Sequence, residues 1–362
     1  MSNKKLVILA NITACMIAWA IVQAHITNKP REEAEKSAYL IQGLDPTNID
    51  SIILGTGKKE TTLKRDGGRF AVVDKDNYPA ESADINSLIA SCLDIKVDEL
   101  FTDNPSNHKD LGVTAEDARH VIKFLKQGSE LMVGVIVGNS KDQGGGTFVR
   151  MIPGNKVYVT LKSPQIQDGA LNYINMEIIS VDRRNIESVT VSSSDEIYTL
   201  KANGDGEDII LKNHPSGKKL KAGDRESVFT ALSFLRFEDV MRSPVTGKEL
   251  NFNRQFVCRL KDSTVYTMEI AQKDDNTYIK CQAVFTDKTP VTKEEGIVES
   301  EEELKKKETK LLARDKAEEF SARHGNWVYK ISESDAGNLV KNLSELLEDE
   351  NKEEAEGDKP TS

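Results

Sequence analysis

Apolar and polar residues alternate from Asn48 to Leu63 ("NIDSIILGTGKKETTL"). The same alternation returns 137 residues later without a gap, from Asn185 to Leu200 ("NIESVTVSSSDEIYTL"). Period-two alternation marks half-buried strands, and the polar break inside each stretch marks a hairpin turn. Four further stretches repeat in the same order. "ADINSLIASCLDIKVDELF" from Ala83 faces "GDRESVFTALSFLRFEDVM" from Gly223, each an apolar helical spacing followed by a short strand. "RHVIKFLKQGSELMVGVIVG" from Arg119 faces "RQFVCRLKDSTVYTMEIAQ" from Arg254, strand pairs around the polar turns Gln127-Gly128 and Asp262-Ser263. "TFVRM" at Thr147 faces "TYIKC" at Thr277. "VYVTLKSPQIQDGALNYI" from Val157 faces "VYKISESDAGNLVKNL" from Val328, a strand leading into a helix. The pattern predicts an α+β chain of two tandem homologous modules. Each reads as hairpin, helix, short strand, three-strand meander, strand and closing helix, with antiparallel sheet and segregated helices.

Ahead of the modules, Leu6 to Ile26 holds no charged residue. Twenty-one helical residues span about 31 Å at about 1.5 Å each, enough for a bilayer core. The predicted order is a cytoplasmic N-terminus (1–5), a transmembrane helix (6–26), a linker (27–45), module one (46–183), module two (184–347) and a disordered acidic tail (348–362). Lys4 and Lys5 before the span favour a cytoplasmic N-terminus and an extracytoplasmic body. A cleaved signal peptide and a lipobox at Cys15 ("ITAC") are the alternatives. Asn11 and Gln23 are polar within the span and could hydrogen-bond a partner helix.

The net charge of −10 excludes a nucleic-acid partner, because phosphate binding needs a basic face. Module two carries a charged insertion over 286–325. There Glu301–Lys305, Glu302–Lys306 and Glu303–Lys307 are spaced four apart in the favourable order, predicting an exposed helix. Leu304, Leu311, Leu312 and Phe320 are its few apolar members and predict one narrow stripe against the body. The helix is either simply solvated or a docking element, with Leu304 and Leu311 the candidate partner contacts.

Catalytic chemistry finds no foothold: no catalytic, cofactor-binding or metal-ligating residue is predicted. The glycine triplet Gly144–Gly146 lacks the lysine and hydroxyl of a phosphate loop and reads as a hairpin turn. The five histidines have no metal-ligand spacing, and Ser192–Ser194 reads as turn chemistry. Cys92, Cys258 and Cys281 read as small buried hydrophobes, with a Cys258–Cys281 bridge open. Trp327 and Tyr329 read as structural aromatics on one face of the last strand, opposite Val328 and Lys330; a binding aromatic is the alternative.

Three stretches carry a resemblance to a bacterial family, domain of unknown function 4340. They are "IDSIILGTGKKETTLKRDGGRFAVV" with "PAESADINSLIASCLDIKVDEL", "DLGVTAEDARHVIKFL" from Asp110, and the charged helix entering "GNWVYKISESDAGNLVKNLSELL". The chain resembles this family over about Asn48 to Leu347. The resemblance implies an N-terminal anchor and an auxiliary envelope role beside ABC-2 and gliding-motility-type transporter components, with no assigned catalytic residues. The acidic tail and the polar residues of the span depart from the family pattern. The expected function is a non-enzymatic accessory protein of the bacterial inner membrane. Its partners would be the lipid bilayer and other membrane proteins of a transporter complex. A glycan- or lipid-binding module using a crevice between the modules is the alternative, and a hydrolase the third reading.

Overall fold

The computed structural model describes residues 38–56, 59–142, 145–160, 162–204, 208–243, 250–291 and 300–350. The predicted span 6–26, with Asn11, Cys15 and Gln23, lies outside them, and no described helix is long and apolar enough to cross a membrane. The described chain is α+β: two large antiparallel sheets with few helices. It divides into two units. One runs to Gly68 and resumes from Ser82 to Gly169; the other takes Arg69–Glu81 and everything from Ala170 onward. The sequence pattern instead placed the division between 183 and 184.

The first unit holds β1 (Ala38–Tyr39), β2 (Ser51–Leu54) and β3 (Thr61–Asp66). The chain then lends β4 (Arg69–Val72) and β5 (Tyr78–Pro79) to the second unit. It returns with α1 (Ser82–Leu93), β6 (Lys96–Thr102), β7 (His120–Lys126), β8 (Glu130–Ser140), β9 (Thr147–Ile152) and β10 (Val157–Thr160). These strands lie in the order β1-β6-β10-β9-β8-β7-β2-β3. On α1, Ile85, Leu88, Ile89 and Cys92 make the buried stripe, at the spacing one helix face requires. Val133 to Gly138 of β8 is an unbroken buried run, so this strand is covered on both faces. Val113, Val121, Ile136, Phe148, Val157 and Val159 form one core cluster, with Leu111 and Ala118 against it.

The second unit holds β11 (Glu177–Ile179), β12 (Ile186–Ser192), β13 (Ile197–Asn203), β14 (Asp208–Leu211), β15 (Lys218–Leu220), α2 (Ala222–Phe229) and β16 (Leu235–Arg242). There follow β17 (Arg254–Leu260), β18 (Thr264–Lys273), β19 (Asn276–Phe285), α3 (Glu301–His324), β20 (Trp327–Ile331), α4 (Glu333–Val340), α5 (Leu343–Leu346) and β21 (Leu347–Asp349). Its sheet runs β11-β16-β20-β19-β18-β17-β12-β13-β14. Through β13 this matches the first sheet strand for strand. Small motifs repeat too. Asp45 accepts the Thr47 amide at 2.9 Å, and Asp182, 137 residues on, accepts the Arg184 amide at 2.9 Å. Each caps one short 3-10 turn ahead of the first strand of its hairpin.

Two expectations are corrected, and the bridge left open by the sequence is answered. Among the described residues no closing α-helix stands between β10 and β11. Pro164 and Gly169 interrupt the stretch, and only a 3-10 turn forms at Ala170–Tyr173, whereas α4 does form after β20. The acidic tail does not begin at 348. Leu347–Asp349 pairs with Lys218–Leu220, and Lys218 Nζ lies 2.6 Å from Asp349 Oδ1, so opposite charges draw its first residues into a ladder. Residues 351–362 lie outside the described set. Cys258 and Cys281 are free. They sit on β17 and β19 with β18 between: Cys258 pairs with Tyr266 and Cys281 with Met268, so two strand spacings and a two-residue offset separate them, too far for a disulfide.

Candidate functional site

The largest element of the second unit without a counterpart among the described residues of the first is α3, which stands between β19 and β20. Its start is written locally. Ser300 Oγ accepts the Glu303 amide at 3.3 Å, and a Glu303 carboxylate oxygen accepts the Ser300 amide at 2.9 Å. Glu301–Glu303 lie in the first turn and Arg323 in the last, each favourable to the helix dipole. Of the predicted pairs, Glu302–Lys306 closes at 2.8 Å, while Glu303 turns back to the cap.

What holds α3 to the sheet is not leucine. β19 pairs with β20 only at Thr277–Ile279, so the rest of that edge needs another cover. Ser321 supplies it. Its hydroxyl accepts the Ala283 amide at 2.8 Å and donates to the Ala283 carbonyl at 2.7 Å. Ala313, Ala317 and His324 are the buried positions of α3, and Phe320 packs edge-on against Tyr266 at 5.0 Å between ring centroids. At 3.6 residues per turn, Leu304 and Leu311 lie roughly opposite Ala313 and Ala317. Leu304 is 54% exposed, Leu312 51%, and Leu311 half-buried. The predicted leucine stripe against the body is therefore corrected: of its four members only Phe320 faces the sheet. Alanine and serine win that face because only small side chains let a helix approach a sheet backbone closely enough to hydrogen-bond it.

The C-terminal end of α3 enters a buried aromatic cluster. His324 Nδ1 shares a hydrogen bond with the Tyr329 hydroxyl at 2.7 Å, and that hydroxyl lies 3.4 Å from the Tyr78 hydroxyl. Trp327 meets Tyr78 edge-on at 4.7 Å, and Phe237 meets Tyr329 at 4.9 Å. Trp327, Val328 and Tyr329 are all buried, so both faces of β20 are covered rather than one. Burial lowers the His324 pKa to about 4, seconded by the Arg323 charge, and it raises those of Tyr329 and Tyr78. The sequence marked Trp327 and Tyr329 but not His324 or Tyr78, whose roles depend on contacts up to 251 residues apart.

Two clefts lie beside equivalent turns. In the first unit a cleft of about 470 Å³ is lined by Asp50, Arg65, Lys126 and Gln127. In the second, one of about 550 Å³ lies between the Lys261–Ser263 turn, Phe285 and the first half of α3. Among the described residues no cluster of His, Cys, Asp and Glu could hold a metal ion. Gly145 and Gly146 take φ of 75° and 95° in the turn between β8 and β9. Ser193 is a turn residue whose hydroxyl accepts the Asp195 and Glu196 amides at 3.3 Å.

Fold and site together define an α+β protein of two like-ordered antiparallel sheets, the second fitted with an added helix. A family model described as "Domain of unknown function (DUF4340)" matches residues 71–255, more than half of the 362-residue chain, and the chain belongs to this family. Searches of curated proteins and of solved structures give no match.

Proposed function

We propose that this chain is a non-enzymatic accessory protein of the bacterial cell envelope. Leu6–Ile26 holds it in the inner membrane with its body outside the cytoplasm, and it serves as an auxiliary component of an ABC-type transport system. The two sheets descend from one duplicated module and form a scaffold. The partner contact is the outer face of α3, through Leu304, Leu311 and Leu312, with Asn11 and Gln23 available to a partner helix in the bilayer. The observation that supports this is the division of labour on α3: small residues bind it to the sheet, while leucines remain on its solvent side.

The test is affinity purification of the full chain from detergent-solubilised membranes of its own host. Wild type is expected to bring down a reproducible set of membrane proteins with transporter subunits among them. Leu304→Asp with Leu312→Asp is expected to reduce that recovery at least tenfold with an unchanged thermal midpoint. Recovery unaffected by the double variant removes α3 from the contact. Release of the chain by alkaline carbonate removes the anchor.

A further inference from the structure

We propose that the cleft beneath the first half of α3 binds a phosphate-bearing ligand. Its volume, about 550 Å³, falls in the range of small-molecule sites. Four lysines line it, and two of these are already matched. Lys310 Nζ lies 2.7 Å from Asp287 Oδ2, and Lys306 Nζ lies 2.8 Å from Glu302 Oε1. Asp287 also accepts the Thr289 amide at 2.9 Å and the Thr289 hydroxyl at 2.7 Å. These bonds hold its carboxyl well below the usual carboxylate range.

Lys261 on the turn and Lys305 on the helix have no carboxylate partner among the described residues. The remaining acid, Asp262, has an oxygen accepting the Thr264 amide at 2.9 Å. Lys261 and Lys305, from different elements, thus line one cleft against a single remaining carboxylate, Asp262, which leaves it one net positive charge. The hydroxyl residue Ser263 and the ring of Phe285 line it too, while the Thr309 hydroxyl donates to the Lys305 carbonyl at 2.9 Å. Several donors in one concavity suit an anion with several oxygens, and lysine serves phosphate as a point charge. Phe285 and the lysine stems offer an apolar wall to whatever carries the phosphate. The first unit's cleft makes a contrast. There Lys126 pairs with Glu130 at 2.9 Å, and Arg65 donates to the Ile49 carbonyl at 3.0 Å, so its cations are engaged.

Either a lipid headgroup or a free metabolite could supply the phosphate. The test is calorimetric titration of the full chain in uncharged detergent with two soluble probes, glycerol 3-phosphate and dihexanoyl-phosphatidylglycerol below its micelle concentration. Saturable binding of one or both is expected, and which probe binds assigns the source. Lys261→Ala with Lys305→Ala is expected to weaken it at least tenfold. Lys316→Ala, on an exposed part of α3 outside the cleft, is expected to leave it unchanged. Absence of saturable binding to both probes overturns the proposal. So does equal binding by the double variant, or equal loss in Lys316→Ala.

Discussion

The Ser321 side chain completes the Ala283 backbone, taking its amide at 2.8 Å and serving its carbonyl at 2.7 Å. One hydroxyl thereby does for β19 what a neighbouring strand does elsewhere in the sheet. Ser321→Ala leaves both backbone groups without that partner. The expected loss is about 1–3 kcal/mol in denaturant unfolding, the range for orphaned buried polar groups. An unchanged midpoint would show that water replaces the hydroxyl there.

Ala317 is 1% exposed beneath α3, whereas Leu304 is 54% exposed above it. Enlarging the alanine is therefore expected to cost more than truncating the leucine. Ala317→Leu should destabilise by about 1–3 kcal/mol through overpacking. Leu304→Ala should stay within about 0.5 kcal/mol. The reverse ranking would mean that α3 sits on its leucine face.

Stability should depend on pH through His324. Burial favours the neutral ring and lowers its pKa from 6.5 to about 4. Between those values the unfolded chain binds a proton that the folded chain does not. The contribution is therefore complete above about pH 6.5, shrinks as the pH falls and is gone below about 4, for a total of roughly 3 kcal/mol. His324→Asn keeps an acceptor for Tyr329 and removes the titration, so its thermal midpoint should fall less steeply over that window. Parallel pH profiles for the two proteins would contradict this.

Neighbouring glycines of one turn should differ. A Cβ on Gly145 meets nothing within 4 Å, and its φ of 75° carries only the ordinary left-handed penalty. A Cβ on Gly146, at φ 95°, would strike the Thr160 carbonyl oxygen and come within 2.8 Å of Val159 Cγ1. Gly145→Ala should cost about 1–2 kcal/mol. Gly146→Ala should cost clearly more, read by the same unfolding measurement.

Cys92, Cys258 and Cys281 are buried thiols, and burial pushes the first two up to about 12 and the third higher still. The thiolate is the reactive form. Iodoacetamide at pH 8 should leave all three unmodified in the native chain and label all three after denaturation, as read by peptide mass. Native labelling of Cys258 or Cys281 would mean that the β17–β19 layer opens readily.

Much of this architecture is local and was therefore readable in the sequence. Period-two alternation reports which strand positions face a core, so the repeated stretches at Asn48 and Asn185 announced two sheets whose strand orders coincide. The helical character of α3 was equally legible, because Glu302–Lys306 spacing acts within one turn, while its Ser300–Glu303 capping box came from the structure. Residues 164–170 show where apolar spacing misleads: Pro164 and Gly169 outweigh it, and the closing helix α4 has no counterpart after β10 among the described residues.

Other features waited on tertiary structure. Hydrophobicity assigned the buried face of α3 to its leucines, but the face is chosen by how closely a helix can approach a strand edge, and Ala313, Ala317 and Ser321 permit the shorter distance. The assignment of Arg69–Glu81 to the second unit, and the meeting of Tyr78, His324 and Tyr329, join residues far apart in the chain. Sequence alone determined which segments became strand or helix, since propensity and periodicity act over a few residues. Tertiary structure decided which partners those segments took, because side-chain size and unpaired backbone groups matter only once distant segments meet.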